Sequence, residues 1–326
     1  MIKISIIKKS STEIGLGLAA LGRPEYINIR TNQDIDKTEE AFKNNTFSVL
    51  DEAYDLGVRY FDTAPSYGKG EAFLQEWQTQ TKHKAVILGT KWGYTYVANW
   101  ELGYPGKHEI KEHSLEKLVE QWQVSKAMLP SLKYYQIHSA TFDSGVLENQ
   151  AVLEALCRIK DETDLNIGIT TSGENQKEVI TEALKIEVNG KPLFDSFQVS
   201  FNVFEQSTFE VLKTVIASSK TVIVKEALAN GRVFENDLFP KYKEAYMILK
   251  QLSKKYKVGV DAIALRFVMD HLQPDYVLSG ASNVEQLKAN LKANDFRLDT
   301  KDLEWLKNMK VSPSFYWEER SHLHWN

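Results

Sequence analysis

Cysteine is nearly missing from this chain: Cys157 stands alone among 326 residues. No intramolecular disulfide can form, and none of the cysteine-rich zinc patterns can be built. Long apolar runs are also missing, since nothing approaches the ~20 consecutive residues that a membrane-crossing helix needs. The opening IKISII is too short and too alternating to be the apolar part of a secretion signal. These absences point to a cytoplasmic setting and away from a membrane. A net charge of −4 removes any general attraction to nucleic acid. Low-complexity tracts, long Pro/Gly/Ser linkers and solenoid repeats are absent as well.

What remains is an ordinary globular composition, 43% hydrophobic and 26% charged, with ample material for a core. Length alone would allow two domains, but α/β barrels run past roughly 200 residues as one, so a single domain over 1–326 is expected. The recurring feature is alternation. EIGLGL, RYFDT, AVILGT, KYYQIHS, LNIGITT, DSFQVSF, TVIVK and DYVLSG read as short strands, separated by segments with apolar residues at helical spacing. Leu115, Leu118, Val119 and Trp122 form one such stripe behind a Ser114 cap, ended by Pro130. Phe47, Leu50 and Tyr54 form another before Gly57, and Ser282 with Glu285 has capping-box spacing ahead of Leu287 and Leu291. Cys157 falls among Leu153, Leu156 and Ile159, on the core face of a helix. Eight strands alternating with helices predict a (β/α)8 TIM barrel, an α/β fold, with an open doubly wound sheet as the alternative. Residues 1–12 read as an extra strand or hairpin, and 311–326 as an irregular tail near the active-site face.

In such a barrel the chemistry sits at the carboxyl ends of the strands. Those ends carry Asp62, Tyr67 in the following loop, Lys91 and His138. Tyrosine is a weak acid, with a free pKa of about 10, and needs a positive charge beside it to act in proton transfer. Lys91 can supply that charge, Asp62 can hold the lysine, and His138 can direct a hydrogen bond to a carbonyl oxygen. Each residue alone also reads as packing, a cap or a surface charge. Their succession at strand ends favours the functional reading.

GVRYFDTAPSYGKGE, then LGTKWG, then YYQIHS resemble the aldo-keto reductases in residue type, order and spacing, from about residue 11 to the C-terminus. The resemblance makes Asp62, Tyr67, Lys91 and His138 the catalytic group, with Tyr67 the general acid in carbonyl reduction and Lys91 lowering its pKa. It implies an NAD(P)H-dependent oxidoreductase that interconverts a small-molecule carbonyl and an alcohol. GLGLAA at 15–20 fits a Rossmann fingerprint in letters only, because LGRPEYINIR follows where a helix should open. By the resemblance that stretch is the first strand, with Gly17 beside the coenzyme. LSGASNVEQLKAN offers backbone amides at a helix start for a phosphate, and the resemblance makes Gly280, Ser282, Gln286 and Asn290 contacts to the adenosine phosphates.

NADP(H) is favoured by inheritance, with NAD(H) also allowed, since no strongly basic residue stands at the matching place for a 2′-phosphate. Asp62, Thr170, Thr171 and Gln198 fall where the resembled family holds the nicotinamide, although Thr171 lacks the usual amide. After the seventh strand the resemblance adds Lys225, Glu226, Leu228 and Gly231. Lys225 stands where an aromatic ring often stacks on the nicotinamide; its stem can cover a ring face and its ammonium can reach an anion. Pairing with Glu226 or Asp62 is the plainer reading. Trp92, Tyr94, Trp317 and Trp325 are candidate substrate walls. His322 and His324, with no third ligand in sight, do not make a metal site. A redox-neutral isomerase or lyase, and a nicotinamide-sensing subunit with little turnover, stay open as alternatives. Substrate, direction and oligomeric state are not legible.

Overall fold

The computed structural model describes residues 12–27 and 36–325. The expected hairpin over 1–12 therefore lies outside the described residues, apart from Thr12. The eight expected strands are β1 (Glu13–Gly17), β2 (Tyr60–Asp62), β3 (Ile87–Trp92), β4 (Leu132–Ala140), β5 (Asn166–Thr171), β6 (Ser196–Ser200), β7 (Thr221–Lys225) and β8 (Tyr276–Ser279). All are parallel to their neighbours and follow sequence order around a barrel that β1 and β8 close. Closure removes the open-sheet alternative.

The helices around it include α1 (Glu39–Asp55), α2 (Gly70–Thr81), α3 (Leu115–Ser125), α4 (Gln150–Thr163), α5 (Gln176–Ala183), α6 (Phe209–Ala217), α7 (Lys243–Tyr256), α8 (Val260–His271), α9 (Val284–Leu291), α10 (Thr300–Lys307) and α11 (Pro313–Ser321). None of the described helices is long and apolar enough to cross a membrane.

Three helix expectations change in detail. Ser114 caps α3 as expected, its Oγ accepting the Lys117 N–H at 3.1 Å, but Val119 is exposed. Leu118 is buried and Leu115 and Trp122 pack on the core as expected, and the inward face also takes in Gln121 and Ser125. Gln121 faces inward because its amide serves the backbone of the next loop, accepting from the Gly93 N–H at 2.8 Å and donating to the Tyr94 carbonyl at 2.9 Å. At α9 the cap is Asn283, whose Oδ1 accepts from the Gln286 N–H at 2.8 Å, so the Ser282–Glu285 box is displaced by one residue. Asparagine is as good a cap as serine, and spacing cannot choose between adjacent candidates.

The tail is not irregular either. Ser312 caps α11 with Pro313 at its first position, and Tyr316 is buried under it. The aromatic loop after β3 contains a two-stranded hairpin, Tyr94–Tyr96 against Glu109–Lys111.

The main core lies between strands and helices, while a second cluster of Tyr60, Tyr134, Ile223 and Leu278 fills the barrel itself. Glycine makes room for it. A Cβ on Gly15 would lie 2.7 Å from the Tyr60 ring and one on Gly89 2.4 Å from the Tyr60 hydroxyl. Gly168, in register with Gln136 on one side and Ser196 on the other, is tighter still: a Cβ would stand 2.0 Å from Ser196 Oγ and 2.5 Å from its carbonyl oxygen. The second contact is backbone and cannot swing away. Gly168→Ala should therefore cost about 1–3 kcal/mol, read as a lower urea midpoint at unchanged slope; a wild-type midpoint would show that the strands yield.

Candidate active site

Asp62 ends β2, and a turn closed by the Tyr67 N–H on the Ala64 carbonyl at 3.0 Å returns Tyr67 to the cleft. Lys91 comes from β3. His138 sits where the β4–β5 register shifts between Ile137 and Ala140, with Ser139 at φ +50°, a bulge that re-aims the histidine. The structure thus brings all four residues together from three neighbouring strand ends.

Lys91 is fully buried and forms an ion pair with Asp62, which is 2% exposed. Both partners make further hydrogen bonds. Lys91 Nζ also donates to the Thr63 carbonyl at 2.8 Å, and Asp62 Oδ2 accepts from Tyr60 Oη at 3.0 Å and Gln198 Nε2 at 2.8 Å. A buried ion pair is tolerable on those terms. The Lys91 ammonium stands 4.8 Å from the centroid of the Tyr67 ring, and the His138 ring meets that phenol edge-on at 5.6 Å. Ser66 Oγ lies 3.4 Å from His138 Nδ1, and the His113 ring contacts the His138 carbonyl at 2.9 Å.

Burial, helped by the Asp62 carboxylate, pushes the Tyr67 phenol well above its ordinary range, with Arg23 opposing. The Lys91 charge, paired with Asp62, does not outweigh that burial. The phenol holds its proton. Burial also drives His138 well below its ordinary range, with Lys91, Lys225 and Arg23 adding to the effect, so its imidazole is neutral at pH 7.

A cleft of about 830 Å³ opens beside Tyr67 and Asp62. Gly17, Gln198, Lys225 and Glu226 line it at the strand ends, Leu228 and Gly231 follow β7, and Gly280, Ser282, Gln286 and Asn290 line it at the start of α9. Thr170 and Thr171 do not reach it. Both are fully buried, with Thr170 Oγ1 accepting the Ser139 N–H at 2.8 Å and Thr171 Oγ1 bonded to Gln176 at 3.3 Å. Among the substrate candidates, Trp325 lines the cleft, stacked on His108 at 4.2 Å, and Tyr94 lies against the His138 ring at 4.8 Å. Trp92 is wholly buried against His113, and Trp317 packs on the core beside Tyr316. His322 Nδ1 lies 2.8 Å from the Glu318 carbonyl.

Lys225 pairs with neither Glu226 nor Asp62. Its Nζ lies 2.8 Å from Ser200 Oγ and 3.1 Å from Ser172 Oγ, and burial brings it down to about 8. Glu226 turns out of β7 at φ +55°, a strained conformation for a non-glycine. It is held there by Ser200 Oγ at 2.7 Å and by the Arg320 guanidinium of α11, whose Nε donates at 2.9 Å. Although burial raises it, Arg320 and Lys225 pull the Glu226 carboxyl well below the usual range.

A dinucleotide fits these walls on two observations. Gln198 Oε1 is buried at the reacting end with no hydrogen-bond partner, an acceptor suited to an amide N–H. At the far end the position of a Cβ on Gly280 has nothing within 4 Å, so its backbone is open to close approach.

Sequence reasoning missed Tyr60, Ser66, Arg23 and Arg320. Arg23 follows β1, so the strand-end rule could have found it; Arg320 acts across 94 residues, and no local signal marks it.

Closed parallel barrel, strand-end chemistry and a long cleft across the mouth define a (β/α)8 barrel enzyme. Residues 13–310 match the family described as Aldo/keto reductase family. The uncharacterized oxidoreductase YqkF of Bacillus subtilis is 27% identical over 91% of this chain and 92% of its own length. The putative aryl-alcohol dehydrogenase AAD14 of Saccharomyces cerevisiae is 24% identical over 82% and 77%. Among solved structures, the holo form of aldo-keto reductase AKR11C1 from Bacillus halodurans superposes with a TM-score of 0.68 at 21% identity, covering 93% of each chain. The glycerol dehydrogenase AKR11B4 of Gluconobacter oxydans gives 0.68 at 19%, covering 94% of each. The chain belongs to the aldo/keto reductase family. It is an oxidoreductase acting on carbonyl or alcohol groups, and nicotinamide coenzymes are general to that family.

The Glu226–Arg320 pair ties α11 to the end of β7. Because the folded pKa of Glu226 lies below its unfolded value of about 4.3, the pair's contribution is complete above that pH and lost as pH falls through the folded value. Glu226→Gln should cost about 2–4 kcal/mol at pH 7 and flatten the acid side of the stability–pH curve. Urea melts between neutral and acid pH check this; parallel curves for the two proteins would remove the ion pair's role.

Proposed function

We propose that the chain reduces a carbonyl to an alcohol, or runs the reverse, with Tyr67 as proton donor. One arrangement carries the reading: a protonated phenol at the cleft wall, its ring over the buried Lys91–Asp62 pair and edge-on to a neutral His138. When bound, a nicotinamide dinucleotide supplies or takes the hydride.

The chain's own residues do the rest. Gln198 and Asp62 sit at the nicotinamide end, Gln198 with a carbonyl free for a carboxamide N–H. Gly280, Ser282, Gln286 and Asn290 form the phosphate and adenosine end. His138, neutral, orients the substrate oxygen by a hydrogen bond, and Tyr67 passes its proton to that oxygen. Lys91, fixed by Asp62, keeps a positive charge under the phenolate that is left. Tyr94 and Trp325 wall the substrate side. NADP(H) is the favoured coenzyme, supported by Lys37, a cation on the cleft wall.

The test is nicotinamide consumption with NADPH and NADH separately, against benzaldehyde, glyceraldehyde and other aldehydes and ketones. Tyr67→Phe should lose at least about 100-fold in turnover while coenzyme binding, followed by fluorescence, persists. Turnover equal to wild type would end the Tyr67 assignment. The redox-neutral alternative rests on Lys225, which titrates near 8 beside Tyr67's cleft. It expects conversion of substrate without any net change in nicotinamide absorbance. Lys225→Tyr is expected to change coenzyme affinity or rate, and unchanged kinetics would leave the lysine without a part.

A further inference from the structure

Arg23 has no role in the reading above, yet it touches Tyr67 itself, the loop that carries it, the hairpin after β3 and the C-terminal Trp325. It is 2% exposed. Its guanidinium carbon stands 5.2 Å from the Tyr67 ring centroid, 4.8 Å from that of Tyr26 and 4.7 Å from that of Trp325. Its NH1 group donates to the Ser66 carbonyl at 3.1 Å, the residue before the phenol, and to Glu109 of the hairpin at 3.2 Å. Its Nε is buried without a partner.

The backbone around it is locked to the same loop. Gly22 O accepts the Lys69 N–H at 2.7 Å, and a Cβ on Gly22 would lie 2.2 Å from the Tyr67 carbonyl oxygen. The loop after β1 and the loop carrying the phenol are therefore packed backbone to backbone.

We propose that Arg23 is a positioning residue for Tyr67, holding the phenol ring through a buried cation–π contact and supplying the positive field that a developing phenolate needs. The inference rests on Tyr67 being the proton donor. Lys91 lies under the ring with its charge matched by Asp62, and Arg23 adds a second cation at the same ring. Among the described residues Arg23 forms an ion pair with Glu109, which is 23% exposed and therefore screened by water. The charged and titratable groups facing Tyr67 are Asp62 and Lys91 from the barrel, His138 from β4, Arg23 and Tyr26 from the first loop, Glu109 from the hairpin and Glu226 from the end of β7. Among them Arg23 favours the phenolate, while Asp62, Glu109 and Glu226 oppose it.

Two substitutions of opposite sign test this in the full chain. Removing the cation with Arg23→Met disfavours the phenolate; removing the carboxylate with Glu109→Gln favours it. In alcohol oxidation Tyr67 must accept a proton, and below its pKa the phenolate fraction falls tenfold for each unit of upward shift. For benzyl alcohol or glycerol, whichever turns over, Arg23→Met should lower kcat roughly tenfold at fixed pH with coenzyme KM unchanged. Glu109→Gln should raise it several-fold, and Arg23→Lys should recover much of the loss.

An activity-free readout places difluorotyrosine at position 67, bringing the phenol into titratable range. Its absorbance titration should move up with Arg23→Met and down with Glu109→Gln. Variants that melt and bind coenzyme like wild type but leave both rate and titration unmoved overturn the proposal. If Arg23→Met does not fold, the direction of the Glu109→Gln shift decides. Wild-type turnover by Tyr67→Phe would instead overturn the proton-donor reading, while the titration still reports whether Arg23 acts on the phenol.

Discussion

Everything at the mouth of this barrel depends on a buried ion pair, Lys91 on Asp62. Two charges placed in a low-dielectric interior are destabilising unless the remaining donors and acceptors are also satisfied. Here Thr63 takes a second proton of the lysine, and Tyr60 and Gln198 donate to the carboxylate. The demand propagates downward. Tyr60 must stand in the middle of the barrel to reach Asp62, so the strands beside it carry Gly15 and Gly89 where a side chain would collide with its ring or hydroxyl. It propagates upward too, because the Asp62 carboxylate joins burial in keeping the Tyr67 phenol protonated, beside a histidine that burial and Lys91 keep neutral.

The interior of the barrel is consequently more polar than the branched aliphatic filling usual for this architecture. Gln136 pairs in register with Lys91, Gly168 with Gln136, and Ser196 with Gly168. Apolar packing is provided instead by the tyrosine cluster lower in the barrel and by the shell between strands and helices. Stability and chemistry are thereby divided between two regions. Substitutions in the outer shell act mainly on folding, whereas the inner layer carries both functions and tolerates little.

Much of this was legible in the sequence because it is local. Short β-branched runs alternating with helical stripes gave the eight strands, and the polar residue at the end of each run gave Asp62, Lys91 and His138. What escaped is what only the folded chain creates. Gln121 reads as a solvent-facing residue until the hairpin backbone it serves is in place. Thr170 and Thr171 occupy the strand end, yet their hydroxyls are spent on Ser139 and Gln176, so they lie behind the cleft. Ser282 and Asn283 are equally plausible caps by type, and only backbone conformation selects the second. The depression of Tyr67 was expected from Lys91 with Asp62 holding it; the burial of the phenol, which pushes the other way, is set only by the folded chain.

The same reasoning explains why the cations around this cleft are not interchangeable. Lys91 is bound to Asp62 and acts as a fixed structural charge. Among the described residues Lys225 hydrogen-bonds to two hydroxyls, and burial brings it down to about 8, so its charge can vary with pH and with whatever lies beside it. Arg320 is committed to Glu226 and anchors α11, which leads on to Trp325 at the cleft. Arg23 packs against the rings of Tyr26, Tyr67 and Trp325, where a guanidinium keeps its charge at any physiological pH. A proton donor that must lose its proton in a dry site needs a charge that is permanent, close and incompletely compensated, and Arg23 combines these three properties beside Tyr67.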